Sequence, residues 1–388
     1  MPPPTPWLVG GDLCTLAPFL LFGAETEIRY ERRWLRVAAS PAPDGADGFR
    51  RRSAGGADDE AVAMDVRFPE RPSGGETPVF LLLHGLNGGS SEPYVHDFVG
   101  RANAAGAICA VLVARGLMRT PVRAEPFNGA RTGDVASAAA VLRTSFGDRV
   151  VLVGFSMGGI IAMNYAARSG ADSNLVAAVA LSGNLSCART TGACGDRGRS
   201  VWQPFLAYSL KDSFTGPNRG ALRRRGVPLG PILDAGTISA FDEAQVVPFA
   251  RYPGLVGPGG YYGDMSAAGD GDAAGLAKLA NLAVPGLVLH ARDDPITPIE
   301  AQLPAAAAAA AANLTVLSTA SGGHTGWPRG PDPRRHKWRF MAELGVAFGF
   351  GALASRPFGV DVGDGPIFDK NRMPRRTPRS RAARDPPR

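Results

Sequence analysis

The stretch that decides the fold is VVLVGFSMGG, residues 150–159. Its first residues predict a buried strand, and the part from Gly154 to Gly158 matches the pattern G-x-S-x-G. Between a strand and a helix, this pattern is typical of a sharp turn that exposes a strained serine at the edge of a sheet. The glycines are needed because side chains flanking such a turn would collide. We therefore predict that Ser156 is a nucleophile, followed by a helix from Met157.

On both sides of this motif, apolar runs typical of buried strands alternate with helical segments. Strands are predicted at 79–85, 107–116, 149–154, 175–183, 285–291 and 314–320. Helices are predicted at about 92–105, after Thr132, from Met157 to about Arg168, across the alanines at 305–312 and from about Lys337 to Phe350. Since the strands are apolar throughout, this alternation indicates a mostly parallel α/β sheet covered by helices on both faces. The run at 61–68 is interpreted as an edge strand.

The alternation lapses over residues 184–281, which are rich in glycine, proline and aromatic residues. We interpret this part as a cap inserted over the sheet of a single domain spanning residues 1–369. Its aromatic side chains predict an apolar pocket for an acyl chain beside the nucleophile. They are Trp202, Phe205, Tyr208, Phe241, Tyr261 and Tyr262.

A serine hydroxyl needs a base to take its proton and an acid to orient that base. Among the five histidines, His324 is the candidate base, because it lies in a Gly-Gly-His loop after the last strand. The other four are better explained as structural residues. The acid is expected at the end of the preceding strand, where Asp293 and Asp294 are adjacent. One of the two serves as the acid, and the other serves as a turn residue.

The oxyanion that forms during attack on a carbonyl needs two N–H donors, one following the nucleophile and one from the loop after an earlier strand. The first is predicted to be the amide of Met157. The second is predicted to be the amide of Leu86, within the loop HGLNGG at residues 84–89.

The net charge of +7 is concentrated at the C-terminus. Residues 370–388 contain seven arginines, one lysine and one aspartate, so the preceding residues hold 34 basic and 34 acidic side chains. Because a nucleic-acid-binding domain carries its basic patch on the fold, no nucleic-acid partner is expected. The segment is too rich in proline and charge to fold and is predicted to be a disordered tail. The alternative is a weak contact with a membrane surface or an acidic partner.

The four cysteines are too few for a disulfide scaffold and lack the spacing of a zinc site. Cys187 and Cys194 are close enough to form a bridge, and this alternative stays open. The apolar run at 13–24 is shorter than the roughly 20 residues that span a membrane, and no basic residue precedes it as in a signal peptide. Neither a metal nor an organic cofactor is expected. The expected location is the cytoplasm or the periphery of a membrane.

These motifs resemble those of the α/β-hydrolases, and in particular the fourth AB-hydrolase family of embryogenesis-associated proteins and related esterases and acyltransferases. The resemblance runs from about Trp7 to Phe350 and rests on segments found in the family's order. They are DLCTLAPFL, HGLNGGSSEPYV, NGARTGDV, GFSMGG, ARDDPITP and GGHTGW. It implies Ser156, Asp294 and His324 as a catalytic triad. Asp294 fits the family's D-x-x-x-P spacing, since Pro298 lies four residues later.

The resemblance also implies a substrate class, namely acyl lipids or medium-chain esters. The residues from Asn184 to Gly230 depart from the family, because they are rich in arginine and glycine where a longer helical lid is expected. An N-terminal membrane anchor found in several relatives is not expected here. The sequence therefore predicts a serine carboxylic-ester hydrolase. The alternatives are an acyltransferase with the same triad and a catalytically silent interaction protein on the same fold.

Overall fold

The sheet of the computed structural model contains eight strands in the order β1-β2-β4-β3-β5-β6-β7-β8. Residues 3–23, 27–37, 60–71, 77–122, 126–193, 195 and 198–355 are described. The strands are β1 (Glu31–Val37), β2 (Glu60–Arg67), β3 (Val79–Leu83), β4 (Ile108–Leu112), β5 (Val150–Phe155), β6 (Ala177–Leu181), β7 (Gly286–Ala291) and β8 (Leu314–Thr319). From β4 through β8 every neighbouring pair is parallel. The predicted α/β fold is confirmed. The predicted tail at 370–388 and Cys194 lie outside the described residues.

The edge of the sheet differs from the sequence-based expectation. The run at 61–68 forms β2, which pairs antiparallel with both β1 and β4 and is therefore not an edge strand. The outermost strand is β1, where five of seven side chains are exposed or half-buried. The sequence analysis missed this strand because it is rich in charged residues, which are common on exposed edge strands and prevent pairing with other chains. One of them, Arg32, forms a bidentate pair with Asp65 on β2, at 2.7 and 2.8 Å.

Helices cover both faces of the sheet and bury two apolar cores. One face carries α3 (Gly133–Phe146), α4 (Met157–Ser169), α11 (Ala273–Ala280) and α12 (Pro304–Ala310). The other face carries α2 (Pro93–Ala104) and α13 (Arg339–Ala354). The β5 side chains are buried throughout, which explains why this strand is apolar without alternation.

The cap is largely helical, although its residues 184–230 are rich in glycine and arginine. It contains α5 (Cys187–Ala193), α6 (Gln203–Leu210), α7 (Gly216–Arg224), α8 (Leu229–Asp234), α9 (Ile238–Ala250) and α10 (Tyr261–Met265). Apolar side chains of the cap, among them Phe214, Leu222 and Phe241, are buried in a core shared with the chain that follows β4. Burial of these side chains outweighs the low helix propensity of the glycines.

The N-terminal segment is attached to the loop that follows the last strand. Thr5 donates its amide to the carbonyl of Pro328 at 3.1 Å, and Gly330 donates to the carbonyl of Pro3 at 2.8 Å. The helix α1 (Gly11–Leu21) follows this contact. Neither α1 nor any other helix of the described part is long and apolar enough to cross a membrane.

Candidate active site

Ser156 lies in the turn between β5 and α4, in a backbone conformation that side chains rarely adopt (φ 53°, ψ −119°). A Cβ atom on Gly154 would lie 2.0 Å from the carbonyl oxygen of Gly158, and one on Gly158 would lie 2.2 Å from that of Leu83. Only glycine fits at these two positions. The turn is held by the Ser156 amide, which donates to the carbonyl of Leu181 on β6 at 2.8 Å. Such a conformation costs about 1–3 kcal/mol and persists only where several surrounding contacts hold the residue in place.

The structure brings Ser156, His324 and Asp294 together, although they lie far apart in the sequence. The Nε2 atom of His324 is 2.7 Å from Oγ of Ser156. Its Nδ1 atom is 2.8 Å from Oδ2 of Asp294. Asp294 and His324 are both buried, so water competes little for these hydrogen bonds. The arrangement can transfer the serine proton to the imidazole and stabilise the cation that results.

Both oxygens of Asp294 accept hydrogen bonds from the loop after β7. Oδ1 accepts the amides of Ile296 and Thr297, each at 2.9 Å, and the Thr297 hydroxyl donates to Oδ2 at 2.8 Å. Burial acts to raise the pKa of Asp294, but the charge and hydrogen bond of His324 and the neighbouring His290 hold this pKa below its ordinary value. The carboxylate is therefore ionised and fixed in orientation.

Asp293 occupies a different position from its neighbour. Its Oδ1 atom accepts the amide of Gly323, immediately before His324, at 2.9 Å. The expected turn residue therefore binds the loop that carries His324, called the histidine loop below, as well as its own backbone. Its half-buried position raises the pKa of Asp293, although the hydrogen bond from Gly323 opposes this shift.

Two further side chains hold the histidine loop, and the sequence analysis missed both. The Thr15 hydroxyl on α1 accepts the amide of His324 at 2.8 Å, and the Ser182 hydroxyl after β6 accepts the amide of Thr325 at 2.8 Å. Thr15 lies 309 residues from His324, and no local pattern marks such a contact.

Two other histidines are bound to neighbours other than Ser156. His84 contacts the carbonyl of Gly85 through Nδ1 at 2.7 Å, and its Nε2 accepts the amide of Ala114 at 3.0 Å. His290 interacts through Nδ1 with the side-chain amide of Gln302 at 2.9 Å. Burial lowers the pKa of both imidazoles, so both are neutral structural residues at neutral pH.

The predicted oxyanion donors lie around Ser156. Met157 is the first residue of α4, so its amide has no acceptor within the helix. Leu86 follows Gly85, where a Cβ atom would lie 3.6 Å from Cβ of Ser156. Leu86, Met157, Ser156 and His324 all line one cavity.

That cavity has a volume of about 630 Å³ and is bounded by α1, the cap and the turn after β3. Of the six aromatic residues expected around it, Trp202, Phe205 and Tyr262 line it. Phe241 and Tyr261 are buried in the cores of the cap instead. Tyr208 points to solvent with 69% of its surface exposed. Half of the aromatic set was therefore misplaced, because aromatic content alone does not reveal which side of a helix faces the cavity.

The sequence matches a family model that describes the alpha/beta hydrolase family over residues 80–335, more than half of the chain. The chain belongs to the α/β hydrolase family. The matched residues run from β3 to the loop after His324 and therefore include the turn at Ser156.

Three curated relatives illustrate what this α/β hydrolase is similar to. Phospholipase ABHD3 of Mus musculus is 27% identical over 271 residues, covering 66% of this chain and 60% of the relative. Monoacylglycerol lipase of Saccharomyces cerevisiae is 25% identical, covering 69% of this chain and 58% of the relative. Embryogenesis-associated protein EMB8 of Picea glauca is 27% identical, covering 66% and 54%. The resemblance to embryogenesis-associated proteins is thus confirmed, and the chain spans somewhat over half the length of these relatives.

Two carboxyl groups line the otherwise largely apolar cavity of this α/β hydrolase. Burial raises the pKa of Glu92, at the start of α2, to about 7. Burial likewise raises the pKa of Asp242 on α9 to about 7, although the Tyr262 hydroxyl donates to it at 3.0 Å. Neither residue was singled out from the sequence. Within the described residues, no group of three His, Cys, Asp or Glu side chains could hold a metal ion.

The raised pKa of Asp242 predicts a stability that falls as the pH rises. The folded protein keeps this proton up to about pH 7, whereas the unfolded carboxyl group releases it near its ordinary pKa of 3.8. Folding therefore takes up a proton between about pH 4 and pH 7. Above about pH 7 the folded protein bears the full free-energy cost of burying an ionised carboxylate. We expect Asp242→Asn to raise the free energy of unfolding by about 2 kcal/mol more at about pH 8 than at about pH 5.

Urea unfolding monitored by circular dichroism checks this expectation. Asp234→Asn, at an exposed aspartate of the same cap, is the matched control and should give the same change at both pH values. An Asp242→Asn effect that is equal at both pH values would contradict the buried neutral carboxyl group.

Proposed function

We propose that this α/β hydrolase is a serine carboxylic-ester hydrolase that acts on acyl esters or lipids through an acyl-enzyme. The observation that carries the proposal is the hydrogen-bonded series from Ser156 through His324 to Asp294 at the wall of a largely apolar cavity. The Nε2 atom of His324, at 2.7 Å from Oγ of Ser156, is within reach of the serine proton, as a general base must be.

In the proposed first step, Nε2 of His324 takes the proton of Ser156 while Oγ attacks the ester carbonyl carbon. Asp294 fixes the tautomer of the imidazole, so that Nδ1 carries a proton and Nε2 is free to accept one. The imidazolium then donates its proton to the leaving alcohol. Water, deprotonated by the same imidazole, resolves the acyl-enzyme to a carboxylic acid and restores Ser156.

The negative charge that develops on the carbonyl oxygen is assigned to the amides of Leu86 and Met157. Both are backbone donors fixed before the reaction, so stabilising the oxyanion needs little reorganisation. Removal of one such donor costs about 3 kcal/mol of transition-state stabilisation in comparable sites. The N-terminus of α4 adds a favourable dipole at the same place.

The substrate class is inferred from the cavity. A volume of about 630 Å³ accommodates an acyl chain of several carbons, and Trp202 and Phe205 provide apolar surface for it. The names of two relatives, a phospholipase and a monoacylglycerol lipase, are in keeping with an acyl-lipid substrate. Glu92 and Asp242 supply polar groups that can receive the alcohol part of the ester.

Replacement of the nucleophile tests the reaction class. We expect Ser156→Ala to lower kcat for p-nitrophenyl butyrate by about 10⁶-fold. In a catalytic triad, loss of the serine alone costs about as much activity as loss of all three residues. The same substitution should abolish labelling by a fluorophosphonate probe and leave the circular dichroism spectrum unchanged. Retention of more than about a tenth of the activity by a folded variant would rule out Ser156 as the nucleophile.

The adjacent aspartates provide a matched pair for testing the acid. Asp294→Asn should lower kcat by about 10⁴-fold, because an amide favours the wrong tautomer of His324. Asp293→Asn retains an oxygen acceptor for the amide of Gly323, so we expect near-normal turnover and a stability loss of about 1 kcal/mol at most. Steady-state kinetics and urea unfolding of both variants distinguish the roles. The reverse pattern of activities would assign the acid to Asp293.

The cap offers a matched pair for testing the acyl pocket. Phe205 lines the cavity, whereas Tyr208, one turn along α6, is exposed to solvent and is not among the residues lining it. Phe205→Ala should lower kcat/KM for octanoyl esters by about tenfold relative to acetyl esters, because longer chains lose apolar contact area. Tyr208→Ala should leave this ratio unchanged. Equal losses on both esters after Phe205→Ala would point to general destabilisation.

A further inference from the structure

The N-terminal segment carries an unusual concentration of exposed apolar side chains. In the described part of the chain, fourteen large apolar side chains are exposed, and seven of them lie between residues 7 and 21. These seven are Trp7, Val9, Leu13, Leu16, Phe19, Leu20 and Leu21. Contiguous apolar surface of this kind marks an interaction site in a folded protein.

The two sides of α1 differ in character. Cys14, Thr15 and Ala17 are buried on the inner side, where Thr15 binds the loop that carries His324. Leu13 and Leu20, about two turns apart on the outer side, have 48% and 71% of their surface exposed. The one charged residue of the helix, Asp12, accepts the indole N–H of Trp202 at 2.7 Å. The outer face of α1 is therefore apolar and carries no charge of its own.

This face is continuous with the mouth of the cavity that contains Ser156. Leu16 and Phe19 belong to both, since they line the cavity and still have 43% and 48% of their surface exposed. Phe205 on the cap lines the cavity from the other helix and is 56% exposed. Exposed apolar side chains therefore lie at the mouth of the cavity.

A basic segment lies beside Trp7, the first of these exposed apolar residues. Trp7 donates its indole N–H to the carbonyl of Pro331 at 2.8 Å, which places the 329–337 segment next to it. That segment contains four basic residues and one acidic residue. The side chains of Arg334 and Arg335 are 67% and 82% exposed, although both contact Asp332. Apolar side chains with basic residues at their margin fit the interface of an anionic bilayer.

We propose that the outer face of α1, with Trp7 and Val9, is a docking surface for a lipid bilayer containing anionic lipid. Docked in this way, the chain presents the cavity mouth to the acyl region of the bilayer through Leu16 and Phe19. The apolar side chains enter the boundary between headgroups and acyl chains, while Arg334 and Arg335 remain at the headgroups. The benefit to catalysis rests on the proposed function, but the binding itself does not.

The test measures binding of the full chain to vesicles of phosphatidylcholine, alone or with about one quarter phosphatidylglycerol, by sedimentation. Leu13→Gln with Leu20→Gln changes two exposed residues outside the cavity lining while keeping good helix formers. We expect this variant to lose about tenfold or more in vesicle partitioning. The matched control is Leu233→Gln with Val256→Gln, at two exposed apolar positions of the cap, which should bind as the unchanged chain does.

A second variant tests the basic margin. Arg334→Gln with Arg335→Gln should lower partitioning onto the anionic vesicles by about tenfold, with little effect on phosphatidylcholine alone. No vesicle binding by the unchanged chain, or equal binding by the Leu13/Leu20 variant, would overturn the proposal. It would also be overturned if the unchanged chain is a dimer in sedimentation velocity and the Leu13/Leu20 variant a monomer, because the occupant would then be a second copy.

Hydrolysis of dissolved p-nitrophenyl acetate separates this proposal from the proposed function. The Leu13/Leu20 variant should hydrolyse this ester at the unchanged rate and lose at least half of the rate on a vesicle-borne ester. If no variant hydrolyses any ester while vesicle binding follows the expected pattern, the proposed function fails and the docking surface stands. If the chain hydrolyses esters but does not bind the vesicles, the docking surface is ruled out and the proposed function stands.

Discussion

The rest of the structure depends on the close approach of two backbones at the turn after β5. The N-terminus of α4 comes so near to β3 and β5 that neither Gly154 nor Gly158 can carry a side chain. This contact places Ser156 in its strained conformation above the carboxyl edge of the parallel sheet, where loops from several strands meet. Two features maintain this strained conformation. The amide of Ser156 is hydrogen-bonded to β6, and buried cores on both faces of the sheet fix the surrounding elements.

The histidine loop needs support of another kind, because it contains no regular structure. Its backbone amides bind three side chains that come from three separate parts of the chain, namely Asp293, Thr15 and Ser182. Each hydrogen bond is of ordinary strength, at about 1 kcal/mol. Together they fix the position of the imidazole without a contact to its ring nitrogens, which remain available to Ser156 and Asp294.

The sequence predicted the parts of this molecule that local patterns determine. Buried parallel strands are apolar throughout, so their alternation with helices was visible, and the glycine requirement marked the turn at Ser156. The charged strand β1 was missed because an exposed edge removes the apolar signal. Thr15, Glu92 and Asp242 were missed because their roles depend on contacts or burial that only the folded chain creates. The helices of the cap were missed because tertiary burial overrides the low helix propensity of its glycines.

The helix α1 joins two of these features in eleven residues. On its inner side the backbone of the histidine loop approaches so closely that a Cβ on Gly323 would lie 2.6 Å from the carbonyl oxygen of Gly11. On its outer side Leu13 and Leu20 contact solvent. Protein interiors are densely packed, so a shift of the inner side would be transmitted to His324, whereas changes confined to the outer side leave that packing intact. The position of the base and the character of the surface around the cavity mouth are therefore separable by substitution, although a single helix carries both.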